Sequence, residues 1–390
     1  MKVIYIQDQE IDLCNNRYYH SKSEHFFSRY LQGLNQNETL DVYAGVVESS
    51  ANVVEKYKDI THLQIEYKKI PEFRKIQNLL SISNLMCKIV KDADFCYLRT
   101  GIAGSLASFT CRKLGIPYMA IVNEDVYNNT RIHKKLIVRL SAYPLLWLNR
   151  KMIKNANYAC YVTQEYLQKG YPCDGKSLGC SDIEFLDLDE KNFTQRLAKI
   201  ATLEGKIVLG SVGSVSATLK GQDTVIRALA ELKKEGLFYY EYQLVGTGDQ
   251  TRLRTLAESL GVADCVKFLG AFNHDDVMTW FENIDIYLHP SHSEGLPRTI
   301  LEAMTKACPC ICTSVGGIPE LIDKEHLFAY NGNEVTDLKR MLLAMDKETM
   351  TSQAKINFER SKNYDPKELE RKRSEFFKNA IANTRTNRNL

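Results

Sequence analysis

The stretch 291–320 reads SHSEGLPRTILEAMTKACPCICTSVGGIPE and is the most informative segment of the chain. Pro297 suits the start of a helix, because its ring fixes φ and the first turn does not need its missing N–H. The helix then has an apolar face, formed by Ile300, Leu301 and Met304. We therefore expect Glu294 to lie in the loop before the helix and Glu302 to lie on the helix itself.

The start of this helix is a candidate anion site. The backbone amides between Gly295 and Thr299, apart from that of Pro297, lack partners within the helix, and the helix dipole adds positive potential there. Carboxylates beside such a phosphate cradle suit a nucleotide-sugar, with one for the sugar hydroxyls and one for the ribose. The alternative is a surface loop that leads into an ordinary amphipathic helix.

The segment resembles the Glu-x7-Glu signature of retaining glycosyltransferases of family 4, which have the GT-B fold. An ordered set of features carries the resemblance: an apolar strand at 284–288, Pro290-Ser291, Glu294-Gly295, Glu302-Ala303-Met304, a second strand, and Gly316-Gly317-Ile318-Pro319-Glu320. The resemblance implies that Glu294 lies near the donor sugar and that Glu302 binds the ribose hydroxyls. Gly295 and Leu296 would belong to the same donor site.

Other expected donor-site residues follow earlier strands. Gly213 ends a strand, and Lys220 opens the next helix, where phosphates bind in such sheets. Ser214 stands where the family usually has an arginine, so one of two expected cations is missing, and Arg298 is a candidate to replace it. The resemblance also implies that the backbone around Phe268 lines the base, which is that of a UDP-sugar or a GDP-sugar.

The reaction that the resemblance implies transfers a sugar with its anomeric configuration retained. As the sugar leaves, negative charge grows on the diphosphate and positive charge grows on the anomeric carbon. Lys220 and the amides at Gly295 would stabilise the first charge, and Glu294 the second, in a site that needs no metal. We therefore expect no resident cofactor.

Length and composition favour a two-domain globular protein. The chain has 390 residues, with 44% hydrophobic and 25% charged residues, which is too long for one ordinary core and too apolar for disorder. A net charge of +3 gives no reason to expect a nucleic-acid partner. The 11 cysteines show no zinc spacing, and the N-terminus does not resemble a signal peptide. These features predict a reduced, cytoplasmic protein.

Two Rossmann-like halves follow from the alternation of short apolar runs with helical patterns. Strands are predicted at 2–6, 41–47, 95–98, 118–122, 158–162, 206–212, 242–245, 266–269, 284–288 and 310–313. We predict an acceptor-binding domain at 1–180, a linker at 181–205, a nucleotide-sugar domain at 206–365, and a helix at 366–390 that returns to the first domain. The two domains would face a cleft, and Asp187 and Asp189 would be solvated charges of the linker.

Polar residues after two strands of the first half are candidates for acceptor binding. Arg99, Glu124 and Asp125 follow the strands at 95–98 and 118–122, and the carboxyl ends of strands carry binding sites in open sheets. One of the two carboxylates, with Asp125 as our candidate, would accept the proton of the acceptor hydroxyl. Many family members have Gly-Gly near residue 15, where this chain has Cys14-Asn15-Asn16-Arg17, so that contact with the donor phosphate is not expected.

A basic, apolar segment covers 131–154. Between Val126 and Gln164 there is no acidic residue. The cations of the segment are Arg131, Lys134, Lys135, Arg139, Arg150, Lys151 and Lys154. Two interpretations stay open at this point: a peripheral contact with the inner face of a membrane, or a core helix with a solvated basic rim.

These features predict a glycosyltransferase that moves a sugar from a nucleoside diphosphate to a glycan or a lipid-linked glycan for cell-surface polysaccharide. An epimerase of the same fold is one alternative, because it would act on the donor without an acceptor. A weakly catalytic, nucleotide-binding partner subunit is another, since Ser214 and the absent Gly-Gly both depart from the family pattern.

Overall fold

The chain folds into two compact α/β units. A computed structural model describes residues 1–20, 25–54, 57–63, 65–70, 79–133 and 135–388, so that Lys134 of the basic segment lies outside the described residues. One unit consists of Met1–Cys180 and Leu369–Leu390, and the other of Ser181–Glu368. Each unit has its own sheet, mainly parallel in the first unit and parallel in the second, as the alternation of strands and helices predicts.

The sheet of the first unit is mainly parallel. Within the described residues its strands β1 to β9 lie at Val3–Cys14, Arg17–His20, Leu40–Glu48, Lys58–Asp59, Ile65–Lys69, Phe95–Arg99, Tyr118–Val122, Tyr158–Tyr161 and Lys176–Gly179. The parallel strands run in the order β5-β3-β1-β6-β7-β8-β9, and β2 pairs antiparallel with β1 and β4. Asn15 and Asn16 have φ values of 49° and 61°, so the segment where many family members carry Gly-Gly is here a tight hairpin turn.

Helices cover this sheet. Those described in the first 180 residues, α1 to α8, lie at His25–Ser28, Ala51–Val54, Leu79–Val90, Ile102–Leu114, Val126–Arg131, Leu136–Leu140, Ala142–Lys154 and Tyr166–Gly170. A long C-terminal helix, Pro366–Arg388, adds to the same core: the ring of Phe377 stacks on Tyr30 at 5.8 Å and lies 5.5 Å from that of Tyr97. This aromatic packing attaches the end of the chain to the first unit.

The second unit has a parallel sheet with the strand order of dinucleotide-binding domains. Its strands β10 to β15 lie at Ile207–Val212, Tyr240–Val245, Val266–Gly270, Ile286–His289, Cys310–Thr313 and Leu327–Phe328. They run in the order β12-β11-β10-β13-β14-β15, so the chain reverses direction across the sheet between β10 and β13. Ligands of such sheets bind at this reversal, beside the carboxyl ends of the strands.

The described helices of the second unit, α9 to α15, lie at Glu190–Thr202, Gln222–Lys234, Thr251–Ser259, His274–Asn283, Arg298–Thr305, Glu334–Leu343 and Lys347–Ser361. We number the C-terminal helix α16. The five strands predicted for this unit agree with these bounds to within two residues, whereas β1 of the first unit extends eight residues beyond its predicted end at residue 6.

The predicted linker differs from the structure, because α9 lies inside it. The buried face of α9 includes Asn192 and Arg196, and these polar residues hide the apolar periodicity that would reveal a helix. Arg196 donates to backbone carbonyls, among them that of Phe281 at 2.6 Å. Asp187 and Asp189 are not free solvated charges either: Asp187 accepts from Lys306 Nζ at 2.8 Å, and Asp189 caps α9.

Cysteine side chains serve packing in this fold. All 11 are free thiols, and Cys308, Cys310 and Cys312 are fully buried around β14. Across the part of the chain that the structure describes, no helix combines the length and the hydrophobicity needed to cross a bilayer.

Candidate functional site

Two loops meet at the sheet reversal of the second unit. One follows β10 and carries Lys220, and the other follows β13 and carries Glu294. Ser291 Oγ donates to the carbonyl of Leu219 at 3.1 Å, and the backbone N–H of His292 donates to the same carbonyl at 2.8 Å. These bonds hold the two loops together, so residues that are distant in sequence share one site.

Gly221 makes this close approach possible. Its φ is +63°, and a Cβ atom there would lie 1.9 Å from the carbonyl oxygen of Pro290. Any other residue would push the loops apart, because that separation is far inside van der Waals contact. The Lys220-Gly221 pair of the sequence therefore combines a cation with the one residue type that lets it reach the β13 loop.

The Glu294 carboxylate is the centre of the site. Its Oε1 atom accepts from Lys220 Nζ at 2.7 Å and from His289 Nε2 at 3.0 Å. Burial by itself would raise the pKa of Glu294, but the hydrogen bond and charge of His289 and the charge of Lys220 outweigh it and lower that pKa to about 2. Glu294 is therefore a fixed negative charge at every physiological pH.

His289 is a site residue that the sequence analysis did not predict. It ends β13 and is buried, and its Nδ1 atom lies 3.0 Å from the hydroxyl of Tyr287, which donates to Thr299 Oγ1 at 2.9 Å. A carboxylate only accepts hydrogen bonds, so Nε2 of His289 must carry the proton that faces Glu294. The available signal was a polar residue at the carboxyl end of an otherwise apolar strand.

The loop after β14 fixes the backbone on either side of Glu294. Gly316 has φ +60°, and a Cβ atom there would lie 2.1 Å from the carbonyl oxygen of Glu294. The N–H of Gly317 donates to the carbonyl of Gly295 at 2.6 Å. The Gly-Gly of the sequence motif therefore positions the Glu-Gly loop through the backbone.

The helix after this loop starts one residue later than predicted, because Pro297 precedes it as the N-cap residue and α13 begins at Arg298. Leu296, just before it, is buried. Glu302 lies on α13, half-buried, and burial raises its pKa, while the charges of His274 and Arg298 act in the opposite direction. Among the described residues no group donates a hydrogen bond to its carboxylate, which is thus ready to accept from a ligand.

The remaining predicted donor residues are not all brought together. Gly213 and Ser214 share the β10 loop with Lys220, and Ser214 Oγ lies 3.0 Å from Ser216 Oγ. Arg298 is exposed, and its charge acts on Glu302. Phe268 lies on β12 at the sheet edge, two strands from β10, beneath the guanidinium of Arg254 at 4.4 Å.

A metal-binding arrangement was not predicted from the sequence. Within the described ranges, no three or more His, Cys, Asp or Glu side chains cluster so that they could hold a metal ion.

The first unit has a cavity of about 220 Å³ at its own sheet reversal, between β1 and β6. Two of the residues predicted to bind the acceptor, Arg99 and Glu124, line it, and the Glu124 Oε2 atom accepts from Asn129 Nδ2 at 2.8 Å. Asp8 also lines the cavity and was not predicted. It accepts from the N–H groups of Ile102 and Ala103 at 2.6 and 2.8 Å, and burial raises its pKa.

Asp125 has a different environment from its neighbour Glu124. It is buried, does not line the cavity, and caps α5 through the N–H of Asn128 at 3.1 Å. The hydroxyls of Tyr166 and Tyr171 donate to it at 2.6 and 2.7 Å, and Asn128 Nδ2 does so at 2.6 Å. These partners occupy its acceptor positions, so the expected proton-accepting role does not fit its surroundings.

The fold and the sequence together define a class. Residues 193–357 match the family described as "Glycosyl transferases group 1". The chain is a glycosyltransferase with the GT-B fold, which confirms the predicted fold and enzyme class.

Two relatives and one solved structure show the extent of the similarity. Protein CapJ of Staphylococcus aureus is 27% identical over 343 residues, which cover 84% of this chain and 82% of CapJ. The putative colanic acid biosynthesis glycosyltransferase WcaL of Salmonella typhimurium is 30% identical over 159 residues, 38% of each chain. The structure of Anabaena HepE in complex with UDP-glucose superposes with a TM-score of 0.62 at 17% identity, over 96% of this chain and 98% of HepE.

Proposed function

We propose that this protein is a retaining, metal-independent glycosyltransferase that moves a sugar from a UDP-sugar or GDP-sugar to a glycan or lipid-linked glycan. The acceptor would be an intermediate of a cell-surface polysaccharide, assembled at the cytoplasmic face of the membrane. The name of WcaL, which refers to colanic acid, and the UDP-glucose bound by HepE support the substrate classes.

The contact of Lys220 and His289 with Glu294 carries the proposal. It lies at the sheet reversal, where parallel sheets bind nucleotides, and it places one cation and one ionised carboxylate within 2.7 Å of each other. In the reaction the bond between the anomeric carbon and the diphosphate oxygen breaks, and a bond to the acceptor oxygen forms. Lys220 would stabilise the diphosphate, and the Glu294 charge would stabilise the positive sugar.

Glu302 would bind the nucleotide. Its carboxylate is half-buried and accepts no hydrogen bond from the described residues, so two ribose hydroxyls would satisfy it on binding. The Arg298 charge beside it is available to the diphosphate in place of the missing arginine at Ser214. Phe268, at the sheet edge, would contact the base through its backbone.

For the acceptor we propose the cavity of the first unit, with Arg99, Glu124 and Asp8 as its polar groups. Glu124 takes the place that the sequence suggested for Asp125, because it lines the cavity and Asn129 Nδ2 donates to one of its two oxygens. Carboxylates and an arginine in one cavity suit an acceptor that is rich in hydroxyl groups.

The first experiment identifies the base and the reaction. Melting temperatures of the purified protein are measured with UDP, GDP and ADP, because a ligand stabilises in proportion to the logarithm of its excess over Kd. The sugar donor of the stabilising nucleotide is then incubated without acceptor, with and without excess EDTA, and the products are followed by NMR. We expect slow release of free sugar, first as the anomer present in the donor, at a rate that EDTA does not change.

Three outcomes would contradict the proposal. An isomerised nucleotide-sugar would indicate an epimerase, and binding without turnover, even with extracts of lipid-linked glycans, would indicate a partner subunit. A reaction that EDTA abolishes and Mg²⁺ restores would refute metal independence.

A further inference from the structure

Helices α6 and α7 of the first unit expose a group of large apolar side chains. Five large apolar side chains there are between 57% and 70% exposed: Leu136, Ile137, Leu140, Tyr143 and Trp147. Leu136 and Leu140 lie one turn apart on α6, and Tyr143 and Trp147 lie one turn apart on α7. We call these five side chains the α6–α7 face. The other side of α7 packs inward through Asn149, Met152 and Ile153. A core helix therefore accounts for one side of α7 and leaves the α6–α7 face unexplained.

The segment that carries this face is rich in cations and contains no acidic residue. The described cations of the segment are Arg131, Lys135, Arg139, Arg150, Lys151 and Lys154, and the sequence has no Asp or Glu from Val126 to Gln164. Lys151 Nζ lies 4.7 Å from the ring centre of Trp147, so apolar and positive groups are in direct contact. Exposed aromatic and aliphatic groups with a rim of one charge are the composition of helices that lie in an anionic lipid interface.

We propose that the α6–α7 face docks on an anionic lipid bilayer, with Trp147, Tyr143 and Leu140 inserted among the lipids and the surrounding lysines and arginines on the phosphate groups. Charge favours this occupant. A second copy of the chain would bring an equally positive face and be repelled, whereas an anionic bilayer offers apolar depth and negative charge together.

The docking surface and the proposed acceptor cavity share structural elements. Leu145 of α7 and Asn129 of α5 line the cavity, while Trp147, two residues further along α7, is exposed. Asn149 Oδ1 accepts from the N–H of Gly101, which also lines the cavity, at 2.8 Å. A bilayer on the α6–α7 face would therefore lie one helix away from Arg99 and Glu124. If the cavity binds the acceptor, as the proposed function states, a lipid-linked acceptor could enter it with its lipid still in the membrane.

Trp147 itself reports on docking. The chain has only two tryptophans, and the other, Trp280, is buried in the second unit. Vesicles of phosphatidylglycerol and phosphatidylcholine in equal amounts are added to the full-length protein, with phosphatidylcholine alone as the comparison. With the anionic vesicles we expect a blue shift of the emission, quenching by bromine-labelled lipid tails, and co-sedimentation that is lost as salt rises, because salt screens surface charge over about 10 Å at 0.1 M.

Variants test the charged and the apolar side chains of the surface separately. Lys151→Glu with Lys154→Glu, and separately Tyr143→Ser with Trp147→Ser, should each weaken binding to anionic vesicles by about tenfold or more. Phe238→Ser in the second unit is the matched control: Phe238 is 60% exposed with Lys233 Nζ 5.8 Å from its ring, and its loss should leave binding unchanged. Trp147→Phe should still bind but lose the quenching signal. All these side chains are at least partly exposed, and a melting curve checks that each variant is folded.

The outcomes separate docking from the proposed reaction. Equal binding to neutral and anionic vesicles, unquenched Trp147, or an α6–α7 variant that binds like the wild type would overturn the docking proposal. So would a concentration-dependent dimer that the apolar variants abolish, because a second copy would then be the occupant. Hydrolysis of UDP-glucose or GDP-mannose without acceptor should be the same in all variants. Its absence in a wild type that binds vesicles would refute the proposed function and leave docking intact.

Discussion

Lys220 and Glu294 lie 74 positions apart in the chain, yet Lys220 Nζ lies 2.7 Å from Glu294 Oε1. The contact is built into the backbone, because two hydrogen bonds to Leu219 and the close approach at Gly221 hold the loops together. In the proposed reaction Lys220 must divide its charge between Glu294 and the diphosphate. Donor binding therefore loosens a pair that stabilises the free enzyme.

Lys220→Ala should weaken the binding of UDP by about ten- to a hundredfold, because it removes a charged hydrogen bond to the diphosphate. Uridine, which has no phosphate, should bind with nearly unchanged affinity. Calorimetric titration with both ligands measures the difference, and Lys234→Ala, an exposed lysine on the following helix, is the control. Equal weakening for UDP and uridine would show that Lys220 acts on the fold of the loop and not on the diphosphate.

Removal of the Glu302 charge should raise the stability of the free protein and weaken its binding of UDP. Burial raises its pKa above the usual 4.5, so its ionised form costs folding free energy at neutral pH, and this cost disappears as pH falls through the raised pKa. Glu302→Gln should therefore raise the melting temperature of the free protein at pH 7. It should also weaken the binding of UDP by about tenfold, since the ribose hydroxyls lose an ionic acceptor.

The pH dependence supplies a second test of Glu302. UDP affinity of the wild type should fall as pH drops toward the raised pKa, and this dependence should be absent in Glu302→Gln. Glu258→Gln on the exposed side of α11 should behave as the wild type. A variant that binds UDP normally would remove Glu302 from the nucleotide site.

Substitutions of Glu124 and Asp125 should have different effects: one on transfer to the acceptor and the other on stability. Asp125→Asn leaves two tyrosine hydroxyls and Asn128 without their ionic acceptor, so it should cost about 1 to 3 kcal/mol of unfolding free energy. Glu124→Gln should leave the melting temperature unchanged and lower transfer to the acceptor, with normal donor hydrolysis. If Asp125→Asn were fully stable but inactive in transfer, the role expected from the sequence would be correct.

The sequence was sufficient for the features that depend on short segments. The alternation of apolar runs with helical patterns predicted the two sheets. The Glu-Gly pair and the start of the helix after β10 pointed to Glu294 and Lys220, which the fold brings into contact. Residues that depend on distant partners were beyond it: His289 becomes part of the site only because its ring reaches Glu294.

Dependence on distant partners also explains why the environment of Asp125 and the helix α9 were not predicted. Glu124 and Asp125 are adjacent carboxylates, and only the position of Tyr166 and Tyr171 in the fold decides which of them is enclosed. Helix α9 has polar side chains on its buried face, because Arg196 binds backbone carbonyls of the second unit there. A pattern of hydrophobic residues carries no trace of such partners.

Glu294→Gln tests the central claim most directly. The pKa of Glu294 is about 2, so the wild type keeps this charge across the whole working range, and the variant removes it at every pH without changing the size of the side chain. We expect kcat for donor hydrolysis to fall by about 10² to 10³, by the same factor from acid to alkaline pH, while the Kd for the nucleotide changes little. Hydrolysis at the wild-type rate, or a loss that follows entirely from weaker nucleotide binding, would contradict the assignment of this carboxylate to the transition state.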